Sequence, residues 1–485
     1  MRSTEGLRAL FFWSLDRSTM PSPKHWRQIR IGTLLLLVAI GAPLLGSKLH
    51  DLLVFARAGT AYSAKVLCSS VLMAGLSPEQ IKNEDLALGR SLIKTQINRE
   101  MGQVTATALG GMVTAVAKRQ GHLGCTLEGQ HQALTPLPPQ TRADISDPPI
   151  HSIPWALNSD ASREPPTVNH ARLEAAVLKA FSEPDPINRP QRTRAVVVVK
   201  DGWVIAERYA DGIAPETPLI GWSMTKSLMH ALIGIAVGDG LMSLDQPVPM
   251  PEWSNIDGDP RATITPLHLL QMNTGLAFDE TSRNLSSDLV TMLTQVDDMA
   301  AFATRQPLVA VPGQRWAYAS GTTAILSSTL RQVINDDLSY WRFPSERLFK
   351  PLGMATAVLE TDPSGTFVGS SFGWASARDW ARFGQLYLQD GQWDGQRILP
   401  KGWVEQAKDK SRGSKRAYGS HWWINRGRRH PDLPRNSFSA EGYEGQMLLI
   451  IPSDQTVIVR LGQTPEPGKF DRNDFAASVL AALEA

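Results

Sequence analysis

Leu219-Ile220-Gly221-Trp222-Ser223-Met224-Thr225-Lys226-Ser227-Leu228-Met229-His230 is the stretch on which the reading of this chain turns. An apolar run from Ser227 to Val237 follows and reads as a helix. A serine and a lysine three residues apart at its start share one face, about a turn apart. The helix N-terminus adds unpaired N–H groups and partial positive charge beside the serine oxygen. Together these can make a hydroxyl nucleophilic without a histidine, and Ser223 as the nucleophile would mean acyl-transfer chemistry. The same spacing recurs at Ser91-Leu92-Ile93-Lys94, inside a charged amphipathic stretch that reads as an ordinary surface helix over Pro78–Asn98. It has no such setting and is given no role.

Working outward, Ala195–Lys200 and Trp203–Arg208 flank Asp201-Gly202, a strong signal for an antiparallel hairpin. A second hairpin reads from Gln446–Ile451 and Thr456–Leu461 around Pro452-Ser453-Asp454-Gln455. Between them the pattern is helical over Lys226–Asp239, Leu289–Arg305, Thr322–Asn335 and Ala377–Gln389. Strands at both ends with helices between predict an α+β fold, an antiparallel sheet whose ends meet beside a helical lobe. Ser223 then falls at the junction of sheet and lobe, where pockets form.

Two further elements complete a candidate site. Tyr318-Ala319-Ser320 sits in a loop just before a helix, where a tyrosine can point into a cleft. Gly442-Tyr443-Glu444-Gly445-Gln446 opens the penultimate strand, and its glycines let a ligand approach backbone amides closely.

In this order the elements resemble the β-lactamase-related serine hydrolases: class C β-lactamases, D-Ala-D-Ala peptidases, family VIII carboxylesterases and nylon-oligomer (6-aminohexanoate-dimer) hydrolases. Their pattern is Ser-x-x-Lys, then Tyr-x-Asn or Tyr-x-Ser, then Lys/His-x-Gly or a degenerate form of it. Two more segments carry the likeness, Thr265–Leu276 to the family's "LLxHxSGL" and Ser376–Leu386 to its "TARDLARFG". The resemblance implies a β-lactamase/transpeptidase-like fold and an acyl-enzyme on Ser223, with no metal or cofactor. It implies that Lys226 and Tyr318 together move the proton, and that the N–H groups of Ser223 and Gln446 form an oxyanion hole. Gly445, Tyr443 and Ser320 are the implied substrate contacts. Both Lys226 and Tyr318 ordinarily titrate near pH ~10 and must shift to act at neutral pH. A cation beside Tyr318 favours the phenolate, whereas burial of Lys226 favours a neutral amine.

The departures point to a substrate class. Ser320 stands where asparagine is usual in β-lactamases and peptidases, and Tyr443 stands where lysine holds the substrate carboxylate, with Glu444 beside it. The expectation is an amidase or esterase for small or linear substrates. The alternative is a D,D-peptidase, a β-lactamase, or a penicillin- or peptidoglycan-binding protein with little turnover. A rival nucleophile is Ser371 in Gly369-Ser370-Ser371-Phe372-Gly373, with Asp390 and His421 or His430 as partners. Only a short strand precedes it and no alternating strand–helix series runs upstream, so it reads as a tight turn near the cleft.

Composition narrows the classes further. Of 485 residues, 42% are hydrophobic and 20% charged, with net charge +2 and no basic stripe, which argues against nucleic acid. The 10 histidines show no zinc-hydrolase spacing. Residues 1–59 read as a basic leader followed by an apolar run over 31–46, short of the ~20 residues that span a bilayer comfortably. They predict export to the periplasm, with the segment acting as a signal or inner-membrane anchor. Cys68 and Cys125 are the only cysteines, and in an exported region they favour one disulfide; in the cytosol they would be buried thiols. Residues 60–130 read as a small α/β unit with a hairpin around Gly110-Gly111. Residues 131–165 read as a Pro-rich connector, and 166–485 as the main domain.

Overall fold

The run Ala195–Val199 is buried along its whole length, and both of its faces meet apolar layers. It belongs to the second strand of a seven-stranded antiparallel sheet. In chain order the strands are β1 (Trp155–Ala156), β2 (Thr193–Lys200), β3 (Trp203–Tyr209), β4 (Trp423–Ile424), β5 (Phe438–Glu441), β6 (Met447–Ile451) and β7 (Thr456–Gly462). Their spatial order is β4-β5-β6-β7-β2-β3-β1, so the first and last hairpins meet at the β7–β2 pair, with Val459 opposite Val197. Side chains alternate across a strand. Val196 and Val198 therefore pack on the terminal helices His170–Phe181 and Arg472–Leu483, while Val197 and Val199 join the large core containing Trp380 and Phe383. The β2–β3 turn needs left-handed backbone at both central residues, and Asp201 (φ 52°) and Gly202 (φ 81°) supply it.

The structure is a computed structural model and describes residues 48–87, 89–129, 154–162, 164–465 and 470–483. The basic leader, the apolar run over 31–46 and most of the expected connector lie outside the described residues. Residues 48–55 are helical. Ala56–Ala485 form one compact unit. Among the described residues, no helix is long and apolar enough to cross a membrane.

The helical lobe is built on α1 (Thr225–Gly238) and α2 (Ser320–Ile334), which pack on each other. Nearly every residue of α1 is buried, as its all-round apolar composition requires. A third helix, α3 (Ala377–Leu388), lies against β2, β6 and β7. The expected helix over Leu289–Arg305 is two, Asp288–Gln295 and Met299–Thr304, because Asp298 caps a second start by accepting from Ala301 N.

Two expectations need correction near the N-terminus. The helix predicted over Pro78–Asn98 ends at Glu84, and Ile93–Asn98 is a strand, so Ser91 and Lys94 share no helical face. Ile93, Thr95 and Ile97 carry a period of two that the charged residues around them obscured. That strand opens a four-stranded antiparallel meander with Gln103–Ala108, Val113–Arg119 and Cys125–Leu127. The expected 131–165 connector also contributes β1, which pairs with Trp203 and Val204 at the sheet edge.

Cys68 and Cys125 are joined by a disulfide. Around it the N-terminal segment is fastened to the main domain through one buried carboxylate. Glu360 accepts from the Lys65 amine, from Ser69 Oγ (2.8 Å), from Cys125 N (2.6 Å) and from Trp374 Nε1 (2.8 Å). A second fastening pairs Arg194 with Glu84 and Asp85 at 2.8 and 2.6 Å.

Removing one partner of such a buried pair leaves an uncompensated charge. Glu360→Leu is expected to lower unfolding stability by about 3–5 kcal/mol. Urea denaturation of the full chain measures it, and a loss below about 1 kcal/mol would show that the pair does not carry this fastening.

Candidate active site

The approach to Ser223 is sterically tight. Strand Leu219–Ile220 pairs with Gly373–Ala375, which pairs in turn with Val358–Leu359. Gly221 N donates to Gly373 O at 2.8 Å, and a Cβ on Gly221 would lie 2.5 Å from the Trp380 ring. The next residue, Trp222, is left-handed at φ 47°, a conformation that costs a bulky residue about 1–3 kcal/mol. Its carbonyl accepts from Thr225 Oγ1 at 2.6 Å and its indole N–H donates to Glu444 at 3.0 Å. This bend turns the chain into a 3₁₀ turn, Trp222–Met224, and leaves Ser223 partly exposed at the head of α1.

One turn on, Lys226 is only 1% exposed. Its amine donates to Ser223 Oγ at 3.1 Å, Ser320 Oγ at 3.1 Å and Ser370 O at 2.9 Å. Burial lowers its pKa to about 8, partly opposed by the charge of Glu280. A minor fraction of the amine is therefore unprotonated near neutral pH, far more than for a surface lysine.

Tyr318 enters from the loop before α2, and its ring centroid lies 4.8 Å from the Lys226 amine. Trp423 stacks on it at 5.5 Å and Tyr418 meets it edge-on at 5.8 Å. Burial first, then Glu280, push the phenol's pKa well above its ordinary value, and a hydrogen bond with Ser223 opposes them. The two groups left open by sequence are thus pushed apart, Lys226 toward the neutral amine and Tyr318 toward the un-ionised phenol.

Ser320, expected to contact substrate, is engaged within the protein. It donates through Oγ to Glu280 at 2.6 Å and through its backbone N at 2.7 Å. Burial raises the Glu280 pKa, with Lys226 opposing. Glu280 was missed from sequence. Its only local signal is its place four residues beyond the Thr265–Leu276 segment.

Gly442 brings the last motif against the approach to Ser223, since a Cβ there would lie 2.2 Å from Gly221 O. Gly445 is left-handed at φ 85°, which suits glycine. Gln446 is fully buried, and its side chain exchanges two hydrogen bonds with the Gly462 backbone. Tyr443 is 42% exposed with its ring edge-on to Trp222, whereas Glu444 turns inward to Trp222 and Gln463.

The rival constellation does not assemble. Ser371 is buried with its hydroxyl 3.1 Å from that of Ser370. His421 is occupied by Lys226 O and Thr323 Oγ1, and His430 lies against Glu441. The Gly369–Gly373 turn matters in another way, by presenting the Ser370 carbonyl to Lys226. His230 bridges Tyr387 and Gln406 in the core, and His268 completes a helix cap with Thr265. A 410 Å³ cavity lined by Met73, His122, Trp341 and Phe349 contains none of the candidate site residues.

Comparison with known proteins agrees with this architecture. The family model described as Beta-lactamase matches residues 188–483. A 6-aminohexanoate-dimer hydrolase of Paenarthrobacter ureafaciens is 26% identical over 360 residues, covering 68% of this chain and 87% of that protein. A family VIII carboxylesterase structure superposes with a TM-score of 0.52 at 13% identity, over 66% of this chain and 98% of that one. A structure described as a putative beta-lactamase from Bacteroides dorei gives 0.52 at 17% identity, over 66% of this chain and 100% of that one. The fold is β-lactamase/transpeptidase-like.

The pKa ordering predicts how reactivity follows pH. Labelling of the protein by a fluorophosphonate should rise through an apparent pKa of about 8 as Lys226 loses its proton. Glu280 raises the Lys226 pKa, so Glu280→Gln should move this rise to lower pH. A rise that stays put or moves upward in the variant would show that Lys226 is not the controlling group.

Proposed function

The chain belongs to the beta-lactamase family, and we propose that this serine hydrolase cleaves amide or ester bonds of small or linear substrates through an acyl-enzyme on Ser223. The observation that carries this reading is the 3.1 Å contact between Ser223 Oγ and the Lys226 amine, whose burial lowers its proton affinity.

In the proposed sequence, the unprotonated Lys226 accepts the Ser223 proton as Oγ bonds to the substrate carbonyl carbon. The oxyanion that forms is held by the N–H groups of Ser223 and Gln446. The proton returns to the leaving nitrogen or oxygen through the Tyr318 phenol and Lys226, and the C–N or C–O bond breaks. Water then attacks the ester carbon with Lys226 again as base, releasing the acid and restoring the Ser223 hydroxyl.

Charge supports the substrate class. Tyr443 offers no cation to a substrate carboxylate, and Glu280 adds negative charge close to Lys226 and Ser320. A β-lactam or D-Ala terminus loses about 2–3 kcal/mol of charge-assisted binding, or roughly 30–150-fold. The 6-aminohexanoate-dimer hydrolase among the relatives supports linear amides. We further place the hydrolase outside the cytoplasm, in the periplasm, held at the inner membrane by the apolar run over 31–46. The Cys68–Cys125 disulfide supports an oxidising compartment.

Short p-nitrophenyl esters, linear amides and nitrocefin, offered to the purified protein, test the reading. Turnover of the first two should exceed that of nitrocefin by roughly 30-fold or more. Ser223→Ala should lose about 10³-fold or more in kcat and all fluorophosphonate labelling, with Ser371→Ala within about three-fold of the parent. Labelling retained in Ser223→Ala would overturn the assignment.

A further inference from the structure

The residue that presents Ser223 is gripped from outside the family-matched region. Tyr62 lies in the helical stretch 56–67, well before residue 188, where the family match begins. Its ring stacks on the Trp222 indole with centroids 6.3 Å apart and planes 8° from parallel. The same indole meets Phe372 at 6.1 Å and Tyr443 edge-on at 5.8 Å, and its N–H donates to Glu444. The Lys65 amine sits 4.3 Å from the Phe372 ring, so the N-terminal segment touches two of the rings that enclose the bend before the nucleophile.

Tyr62 cannot drift from this position. Lys65, three residues on and therefore on the same helical face, is tied to Glu360. Glu84 and Asp85 bind Arg194 as a second fastening. Left-handed backbone at a residue as large as tryptophan persists only where its surroundings over-determine it. Tyr62 supplies one of the few contacts able to do that at Trp222.

We propose that Tyr62 is a positioning residue for hydrolysis: by stacking on Trp222 it holds the strained bend that presents Ser223 to Lys226, which makes the N-terminal segment part of the active site. The proposal rests on Ser223 being the nucleophile. With the ring removed, one indole face opens and Trp222 can relax toward ordinary backbone angles. Relaxation rotates the Ser223 side chain away from the Lys226 amine, and a displacement of ~1 Å in such a pair costs on the order of 10²-fold in rate. Substrate binding away from the bend is untouched, so the loss falls on kcat rather than KM.

The test uses the full chain and reads the rate constant of fluorophosphonate labelling at Ser223, together with kcat and KM for p-nitrophenyl acetate. Tyr62→Phe keeps the ring and is expected within about two-fold of the parent. Tyr62→Ala is expected to slow labelling and kcat by about 10-fold or more, with KM within about three-fold. Tyr62→Leu, which fills the space without a flat face, serves if the alanine variant does not fold and is expected to be slow in the same way. Arg57→Ala, exposed on the same helical stretch, is the unaffected control. A smaller labelled fraction at the parental rate is what partial unfolding alone gives, and it overturns the proposal. So do folded alanine and leucine variants that label as fast as the parent. A parent that is not labelled at Ser223 instead removes the reading on which the proposal rests.

Discussion

A single amine taken out of water organises this protein. Lys226 is almost fully buried, and a buried ammonium or amine needs polar partners on every side that water has left. Those partners come from three places in the chain: Ser223 from the turn before α1, Ser320 from the start of α2, and Ser370 from a turn nearly 150 residues downstream. Satisfying one group therefore brings together the sheet–helix junction, the helical lobe and the Gly/Ser turn. The burial that demands these partners also lowers the lysine's affinity for a proton. The need for partners and the weakened proton affinity arise from the same desolvation.

Around that amine the protein places charge and aromatic rings in a definite order. Glu280 is held by the hydroxyl and backbone of Ser320, close enough to moderate the fall in the Lys226 pKa and to oppose ionisation of Tyr318. The Tyr318 ring is walled by Trp423 and Tyr418, which helps to bury the phenol. The two groups that could each serve as base are thus pushed in opposite directions.

The N-terminal segment is bound into this arrangement by Glu360. Four donors converge on its carboxylate, three of them from residues 65–125 and one from Trp374 in the strand that pairs with the approach to Ser223. Trp374 is the neighbour of Gly373, whose carbonyl fixes Gly221 and whose N–H is held by Thr225 at 2.8 Å. A small number of hydrogen bonds thus connects the disulfide-bearing segment to the bend at Trp222. Because buried polar networks are costly when half satisfied, these contacts act as a set.

Much of the frame is written locally. The continuous apolar run Ala195–Val199, the Asp201-Gly202 turn and the apolar run after Ser223 each declare their structure within about a dozen residues, because strand, turn and helix are short-range geometries. The Ser223–Lys226 spacing is equally local, since one helical turn sets it. The tertiary structure alone decided the rest. Ile93–Asn98 became a strand because Gln103–Ala108 was there to pair with it, against the charged pattern that read as helix. Glu280 meets Ser320, the Ser370 carbonyl meets Lys226 and Tyr62 meets Trp222 from segments whose own sequences give little sign of it. Which of Lys226 and Tyr318 gives up its proton depends on how deeply each is buried and which charges face it. Those quantities are sums over residues far apart in the chain, and they exist only once the chain has folded.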